Sequence, residues 1–576
     1  MAGRPRDYVL TEPGGQQLAQ VRAALATGFT VTGGQRPARE RRTWLDTFDW
    51  RLYRAGLTLQ QVATGNSAEL MLTGPDGNQV TAALDRTRRT PRASRRPRTP
   101  QTPGTSRWPV LASALPAGVL RDRLVPLTGN RALLPVATAT SQTSELRLLN
   151  EDRKTVARLG IEALTLAAPP ARGQNPASQA SIPLPSRLTV GEVRGYQAAA
   201  RRARRLVAGT AGVTVSRRTA LDAALAAAGR RALDYNGKVD VKLRPAMPGR
   251  EAVSALLLQQ LDTLEANVDG VLRDIDTEFL HDLRIAVRRT RTALKLLGDQ
   301  LPGELTLRFA SEFRWLGDLT TPLRDLDVQL EELPSTAARL VAAQPADLEP
   351  FRIYLVQRRA TERRALNRGL RSARFAAVLG DWRKALLVPK ANRRGPAGPK
   401  AGDLAADRTR RAYNKVIRMG AAITDDSPAE SLHTLRKRCK ELRYVLEFFG
   451  ALHDPQAQRA MVSDLKRLQD CLGEFQDSEV QQFEIQALAT AMLDKQATPA
   501  PTLLAMGEVA GQLGLRQQRA RAEFAGRFTE FAGNGGRRRL AALTPSTRAP
   551  SSRAPSTQVP STRAPAPKAA TLRARP

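Results

Sequence analysis

Cysteine and histidine are nearly absent: two cysteines and three histidines in 576 residues. Cys439 and Cys471 form no CxxC pair, and scattered histidines supply no zinc spacing, so neither a disulfide framework nor a structural zinc site is expected. This usage fits a reduced, intracellular compartment. Aromatic residues are only 5% of the chain, too few to interleave with cations as a base-stacking platform requires. No run of about 18 apolar residues occurs, and the opening "MAGRPRDYVL" holds no apolar signal core, so no membrane span or leader is expected. Acidic residues are also scarce relative to basic ones, 55 against 90, a formal charge of +35. A charge so far from zero repels itself and points to a polyanionic partner.

What is present divides by texture. Residues 1–235 mix strand and helix patterns. "RRTWLDTFDWRLYRAGLTLQQV" predicts strand, short turn or helix, and strand; "SELRLLNEDRKTVARLGIEAL" predicts a hairpin turning at Asn150, Glu151 and Asp152. An Arg/Pro/Thr insert at 85–107 cannot build a core and is expected to be disordered. Residues 246–536 carry long 3.6-period segments and predict an all-helical domain, with halves 246–387 and 403–536 about a flexible joint. Residues 537–576, with nine basic and no acidic side chains in a Pro/Ser/Thr repeat, are expected to form a disordered basic tail. The fold class is therefore α+β with a mainly α-helical C-terminal domain.

That helical domain contains itself twice. Shifting 280–328 by 152 positions aligns it without a gap onto 432–480, with 12 of 49 residues identical, where chance gives about three. A repeat this long predicts two pseudo-symmetric bundles of three or four helices each. The shared stretch begins "HDLRIAVRRTR" in the first copy and "HTLRKRCKELR" in the second. On a helical wheel His281, Arg284, Arg288, Arg291 and Lys295 fall within an arc of about 80°. His433, Arg436, Lys440 and Arg443 repeat the register, and Glu447 replaces the fifth cation. Leu283, Val287, Leu294 and Leu297 lie opposite the first row, and Leu435, Cys439, Leu442 and Leu446 opposite the second. Each helix is thus expected to pack on its bundle and turn a cationic ridge, about 21 Å long, outward. Like charges at these spacings disfavour an isolated helix, so an anionic chain along the ridge is the expected partner. Arginine forks and lysine point charges both suit phosphate. The histidines are candidate donors to phosphate, Asp325 and Asp477 candidate orienters of the cations, and Arg411 and Lys415 candidate additions to the groove. Arg418, Arg363, Arg364, Arg371 and Arg374 are weaker ones.

"LHDLRIAVRRTRTALKLL" and "LHTLRKRCKELRYVLEFF", with "LRDLDVQL" and "LQDCLGEFQDSEV", resemble the CHAD family, the conserved histidine α-helical domain, over roughly 248–535. The resemblance implies a two-part helical fold with a basic central surface that binds inorganic polyphosphate, and a cytoplasmic location at polyphosphate granules. It implicates His281, Arg284, Arg288, Arg291, His433, Arg436, Lys440 and Arg443. Thr321 departs from the family's glycine, which the second copy keeps as Gly473. In the N-terminal half "WLDTFDWRLYRAGLTLQ" is similar to the CYTH family, whose β-tunnel hydrolyses triphosphates with a divalent metal through an N-terminal ExExK. This chain has "YVLTEPGG" there, with Glu12 the only acid; Glu192 and Arg147 are the thin remainder of later tunnel positions. Metal catalysis needs carboxylates converging on one ion, and these do not supply them. A degenerate CYTH-like domain with no catalytic residues, metal or cofactor is expected. Nucleic-acid binding and a metal-dependent triphosphatase activity in residues 1–235 are the alternatives.

Overall fold

The structure, a computed structural model, describes residues 7–11, 15–34, 37–65, 67–84, 108–167, 181–216, 218–387, 398–494 and 498–543. The insert 85–107, most of the joint, the tail beyond 543 and Glu12 lie outside the described residues.

The N-terminal half contains strands β1 (Asp7–Leu10), β2 (Thr30–Gly33), β3 (Ala38–Asp46), β4 (Thr58–Thr64), β5 (Ser67–Thr73), β6 (Gln79–Ala83), β7 (Val110–Leu111), β8 (Ala132–Leu149), β9 (Thr155–Ala167), β10 (Ser181–Pro183), β11 (Arg187–Glu192) and β12 (Val213–Val215). They form one antiparallel sheet in the order β12-β1-β11-β9-β8-β3-β4-β5-β6, with β2, β7 and β10 on the flanks. The expected hairpin is β8–β9. Asn150 Oδ1 accepts from the Lys154 N–H at 2.9 Å, an Asx-type turn. Helices α1 (Gly15–Ala26), α2 (Arg51–Arg54), α3 (Val119–Thr128), α4 (Gln197–Ala208) and α5 (Ala220–Ala227) punctuate the sheet. α1 and α4 cover one face over Leu146, Leu148, Leu159 and Leu188.

The strand–turn–strand stretch is β3–α2–β4. Its turn is organised by Asp46, whose carboxylate accepts the backbone N–H groups of Thr47, Leu52 and Tyr53 at 2.7–3.0 Å. Burial pushes that carboxyl up to about 6, against those bonds. Thr47 Oγ1 donates to Asp49 Oδ1 at 2.8 Å and accepts from the Arg51 N–H at 2.9 Å. The turn therefore delivers Arg51 in a fixed position.

The helical half holds α6 (Gly249–Arg273), α7 (Thr277–Leu297), α8 (Gly303–Ala337), α9 (Glu349–Leu370), α10 (Ala373–Leu386), α11 (Ala401–Ala421), α12 (Ala429–Phe448), α13 (Pro455–Leu493), α14 (Ala500–Ala532) and α15 (Asn534–Leu543). Each half has five helices among the described residues, not three or four, because short breaks divide segments that a period alone joins. α15 also runs seven residues past the expected boundary at 536. Leu543 is buried, and its carbonyl lies 3.1 Å from Nδ1 of the third histidine, His453. The halves share cores. Val445 and Phe448 of α12 and Phe449 just past its end join the cluster built on α6–α8, and Leu326, Phe351 and Leu355 pack with Ile485, Met506 and Leu513. Both cysteines are buried and unpaired. Among the described residues no helix is long and apolar enough to cross a membrane.

Candidate functional site: a cationic crossing of matched helices

α7 begins at Asp276, whose carboxylate caps the N–H groups of Glu278 and Phe279. Its apolar side, Leu283, Val287, Leu294 and Leu297, is buried as expected. So is the side of α12 formed by Leu435, Cys439, Leu442 and Leu446. The ridges do not face away separately: α7 and α12 meet. Arg289 Nη2 donates to Glu447 Oε2 at 2.9 Å, and Lys295 Nζ to Glu441 Oε1 at 2.6 Å. The 152-residue shift carries 289 to 441 and 295 to 447, so the two contacts are exchanged by one approximate two-fold axis. A second crossing, of α8 and α13, behaves likewise. Gln329 donates to Glu484, and Gln481 Nε2 donates to Glu332 Oε2 at 3.0 Å; the same shift exchanges them. The duplication thus continues in register to 332 and 484.

Around this axis the candidate cations fall into two classes. Lys295 is paired with Glu441. Arg436 Nη2 reaches both oxygens of Asp477, at 2.9 and 3.1 Å, and Arg443 Nε reaches Glu447 at 2.9 Å. These three are already countered, contrary to a ridge bare along its length; their partners come from other helices or from Glu447, which took the fifth cation's place. Arg284, Arg288, Arg291 and Lys440 have no carboxylate within the 4.0 Å ion-pair distance among the described residues. Arg288 and Arg291 are exposed, whereas Arg284 and Lys440 are half-buried. Burial pushes the Lys440 ammonium down to about 8, helped by Arg436 and Arg288 and opposed by Asp477. Burial also pushes Arg284 down to about 10, against Asp325. Asp325 is itself held up by burial and drawn down by Arg284, Arg288 and Arg324. Three like charges from both copies therefore crowd one another at the crossing.

The copies differ in detail. Arg284 Nη1 donates to Thr321 Oγ1 at 2.7 Å. Gly473, at the matching place, offers no such acceptor, and Arg436 turns to Asp477. Arg291 lies over Gly317, where a Cβ would come within 2.6 Å of its Nη1; Arg443 meets Gln469 at the same step, at 3.4 Å. Both histidines are half-buried near the helix starts. His433 Nδ1 is 3.7 Å from Glu479, and burial with Arg324 holds His281 below its usual range. Arg324, on α8 and mostly buried, is the cation that wheel reasoning on α7 missed. "LRDLDVQL" contains it, but nothing in that stretch signals which helix it faces. Arg411 pairs with Asp407 on its own helix at 2.8 Å. No hydrogen bond or ion pair joins it or Lys415 to the ridges among the described residues.

In the N-terminal half Glu192 is paired with Arg204 at 2.7 Å, and Arg147 sits 4.0 Å from Glu145. The sheet's polar face instead centres on Glu162, which meets Arg42 at 2.5 Å and accepts from Ser141 Oγ at 3.0 Å. Among the described residues no three His, Cys, Asp or Glu side chains converge as a metal ion needs.

The CHAD domain family model matches residues 255–486. An uncharacterized protein of Mycobacterium tuberculosis, Rv2226, is 30% identical over 245 residues, 41% of this chain and 44% of that one; the match thus spans less than half the length of that relative. The crystal structure of the CHAD domain from the plant Ricinus communis is similar at 25% identity and TM-score 0.40, covering 53% of this chain and 96% of that one. A putative adenylate cyclase from Bacillus halodurans is similar at 12% identity and TM-score 0.23, covering 38% of this chain and 97% of that one. With its paired His-Arg helices inside the matched segment, the helical region carries a CHAD domain over residues 255–486.

Proposed function

We propose that the chain binds inorganic polyphosphate along the two ridges, without catalysis of its own. The observation that carries this reading is the group of four cations, Arg284, Arg288, Arg291 and Lys440, drawn from both copies and lacking ion-pair partners among the described residues. Such a group is short of anions, and a chain of phosphates supplies them at regular spacing. The match of residues 255–486 to the CHAD domain, a family linked to polyphosphate, supports it. The axis adds an argument against a nucleic-acid strand. Two ridges exchanged by a two-fold relation have no direction; a polyphosphate chain reads the same from either end, and a nucleic-acid strand does not. None of the ridge positions is aromatic, so base stacking has no platform. A protein with this activity is expected with its ligand, at cytoplasmic polyphosphate granules.

The test is a titration of the full chain with long-chain polyphosphate. Arg288→Ala with Lys440→Ala is expected to weaken binding about a hundredfold or more, since each lost charge-assisted contact is worth about 1.5–3 kcal/mol. Unchanged affinity in a folded double variant refutes the site. Single-stranded DNA displacing polyphosphate more readily than the reverse favours the nucleic-acid reading. Phosphate release from tripolyphosphate with magnesium favours the triphosphatase.

A further inference from the structure

The start of α7 is acidic. The N-cap Asp276, Glu278 of the first turn and Asp282 of the second flank His281 in the chain, where the first ridge begins. Left bare, three carboxylates at the end of a cationic track repel any polyanion lying on it. The second copy differs at the matching positions. Its equivalent positions are Pro428, Glu430 and Thr434, and Glu430 lies 3.7 Å from Lys437 of its own helix.

The cations that meet the acidic start come from the sheet domain. Arg131, 1% exposed, approaches Asp282 with Nη2 at 2.5 Å and Asp276 with Nη1 at 3.4 Å. Its guanidinium lies 5.0 Å from the Phe279 ring centre and 5.9 Å from that of Phe48. The Ala132 N–H donates to Asp276 Oδ2 at 2.9 Å, and Tyr235 Oη donates to Asp282 Oδ2 at 2.8 Å. Arg51 Nη2 reaches Glu278 Oε2 at 3.3 Å. Asp49 of the sheet domain shares both arginines, at 2.9 Å to Arg51 and 3.9 Å to Arg131, so the counter-charge is partial. It nonetheless falls on the His281 end of the first ridge. The part of the N-terminal half most similar to the CYTH family, the Asp46–Arg51 turn, is the part that aims Arg51.

We infer that the N-terminal domain acts as a built-in counter-charge: Arg51 and Arg131 cover the acidic start of α7 and keep the His281 end of the track open to polyphosphate. The inference rests on the polyphosphate reading and gives the N-terminal domain a role in it.

Arg51 and Glu278 form the accessible pair for a test, as both are partly exposed. The full chain is titrated with long-chain polyphosphate at low salt, with melting temperatures confirming that each variant is folded. Arg51→Gln uncovers Glu278 and lowers affinity about two- to fivefold, the size of a single peripheral charge. Glu278→Gln releases Arg51 and raises affinity by a similar factor. The double variant returns to within about twofold of the parent. A purely structural contact gives no rise for Glu278→Gln. If Glu278→Gln leaves affinity unchanged or lowers it while the parent binds, the counter-charge role is overturned and polyphosphate binding stands. If the parent does not bind, the functional reading itself fails.

Discussion

Lys440 shows how close the cations at the crossing stand. Its ammonium is held near 8 by burial and by Arg436 and Arg288. The folded protein therefore binds less proton at this lysine than the unfolded chain does between about 8 and 10.5, so this group makes stability rise with pH across that window. A bound polyanion reverses the shift. Polyphosphate affinity is expected to be constant below about pH 7, to fall as pH passes 8, and to be accompanied by proton uptake above that point. Calorimetry in buffers of different ionisation enthalpy measures that uptake; affinity flat from pH 7 to 10 counts against Lys440 as a contact. Lys440→Met keeps the side chain's length and removes its charge. It is expected to weaken binding and to raise the melting temperature by about 2–4 °C, the equivalent of ~1 kcal/mol in a domain of this size. Such a trade marks a residue kept for its ligand. The residue identities on each ridge were legible in the sequence because a 3.6-residue period sorts them onto one face. Their partners were not: Arg289 and Glu447 are 158 residues apart, and Lys295 and Glu441 are 146. Wheel geometry on one helix says nothing of the other.

Pairs of helices, more than single ridges, define the candidate site. Glu447 looks in the sequence like a lost cation; in the fold it accepts from Arg289 and Arg443 together and ties α12 to α7. Arg289 is almost fully buried and also donates to the Gly237 carbonyl at 2.7 Å. Arg289→Met leaves Glu447 with Arg443 alone, and is expected to cost about 1–3 kcal/mol in urea unfolding; a loss below ~0.5 kcal/mol contradicts this weighting. α6 and α7 pack closely at Gly270, where a Cβ would fall 2.1 Å from Phe279 Cδ1. Gly270→Ala must displace Phe279, whose ring centre lies 4.7 Å from that of Phe48. Overpacking of this kind costs about 1–3 kcal/mol, and the same variant is expected to loosen the docking of the sheet domain, seen as faster proteolysis between 216 and 249. The duplication itself was visible as a 152-residue shift. Its geometric meaning, a two-fold axis through two crossings, required knowing which copies touch.

At the scale of the whole molecule, sheet domain and helical domain are joined through a buried arginine. Arg131 enters a site lined by Asp276, Asp282, Phe48 and Phe279. Removing one member of a buried ion pair leaves the other uncompensated and costs about 3–5 kcal/mol, so Arg131→Met is expected to separate the domains' unfolding into two transitions by calorimetry. A single unshifted transition contradicts the clamp. Domain order and the α+β class were readable from the change of period near 240. The clamp was not, because Arg131 sits in "GNRALLPV" with no pattern marking it as different from the 34 other basic positions of residues 1–235. The net charge of +35 is a property of all 576 residues and makes any polyanion attractive from a distance; the central claim concerns the crossing. Its most direct test is the salt dependence of polyphosphate affinity for the parent and for Arg288→Ala/Lys440→Ala. Release of counterions makes log K fall linearly with log salt, by about 0.7 per neutralised phosphate on a single-stranded polyanion. The account predicts that the double variant has a slope shallower by about 1.4 and a lower affinity at every salt concentration. Identical slopes and affinities in the two proteins would contradict it.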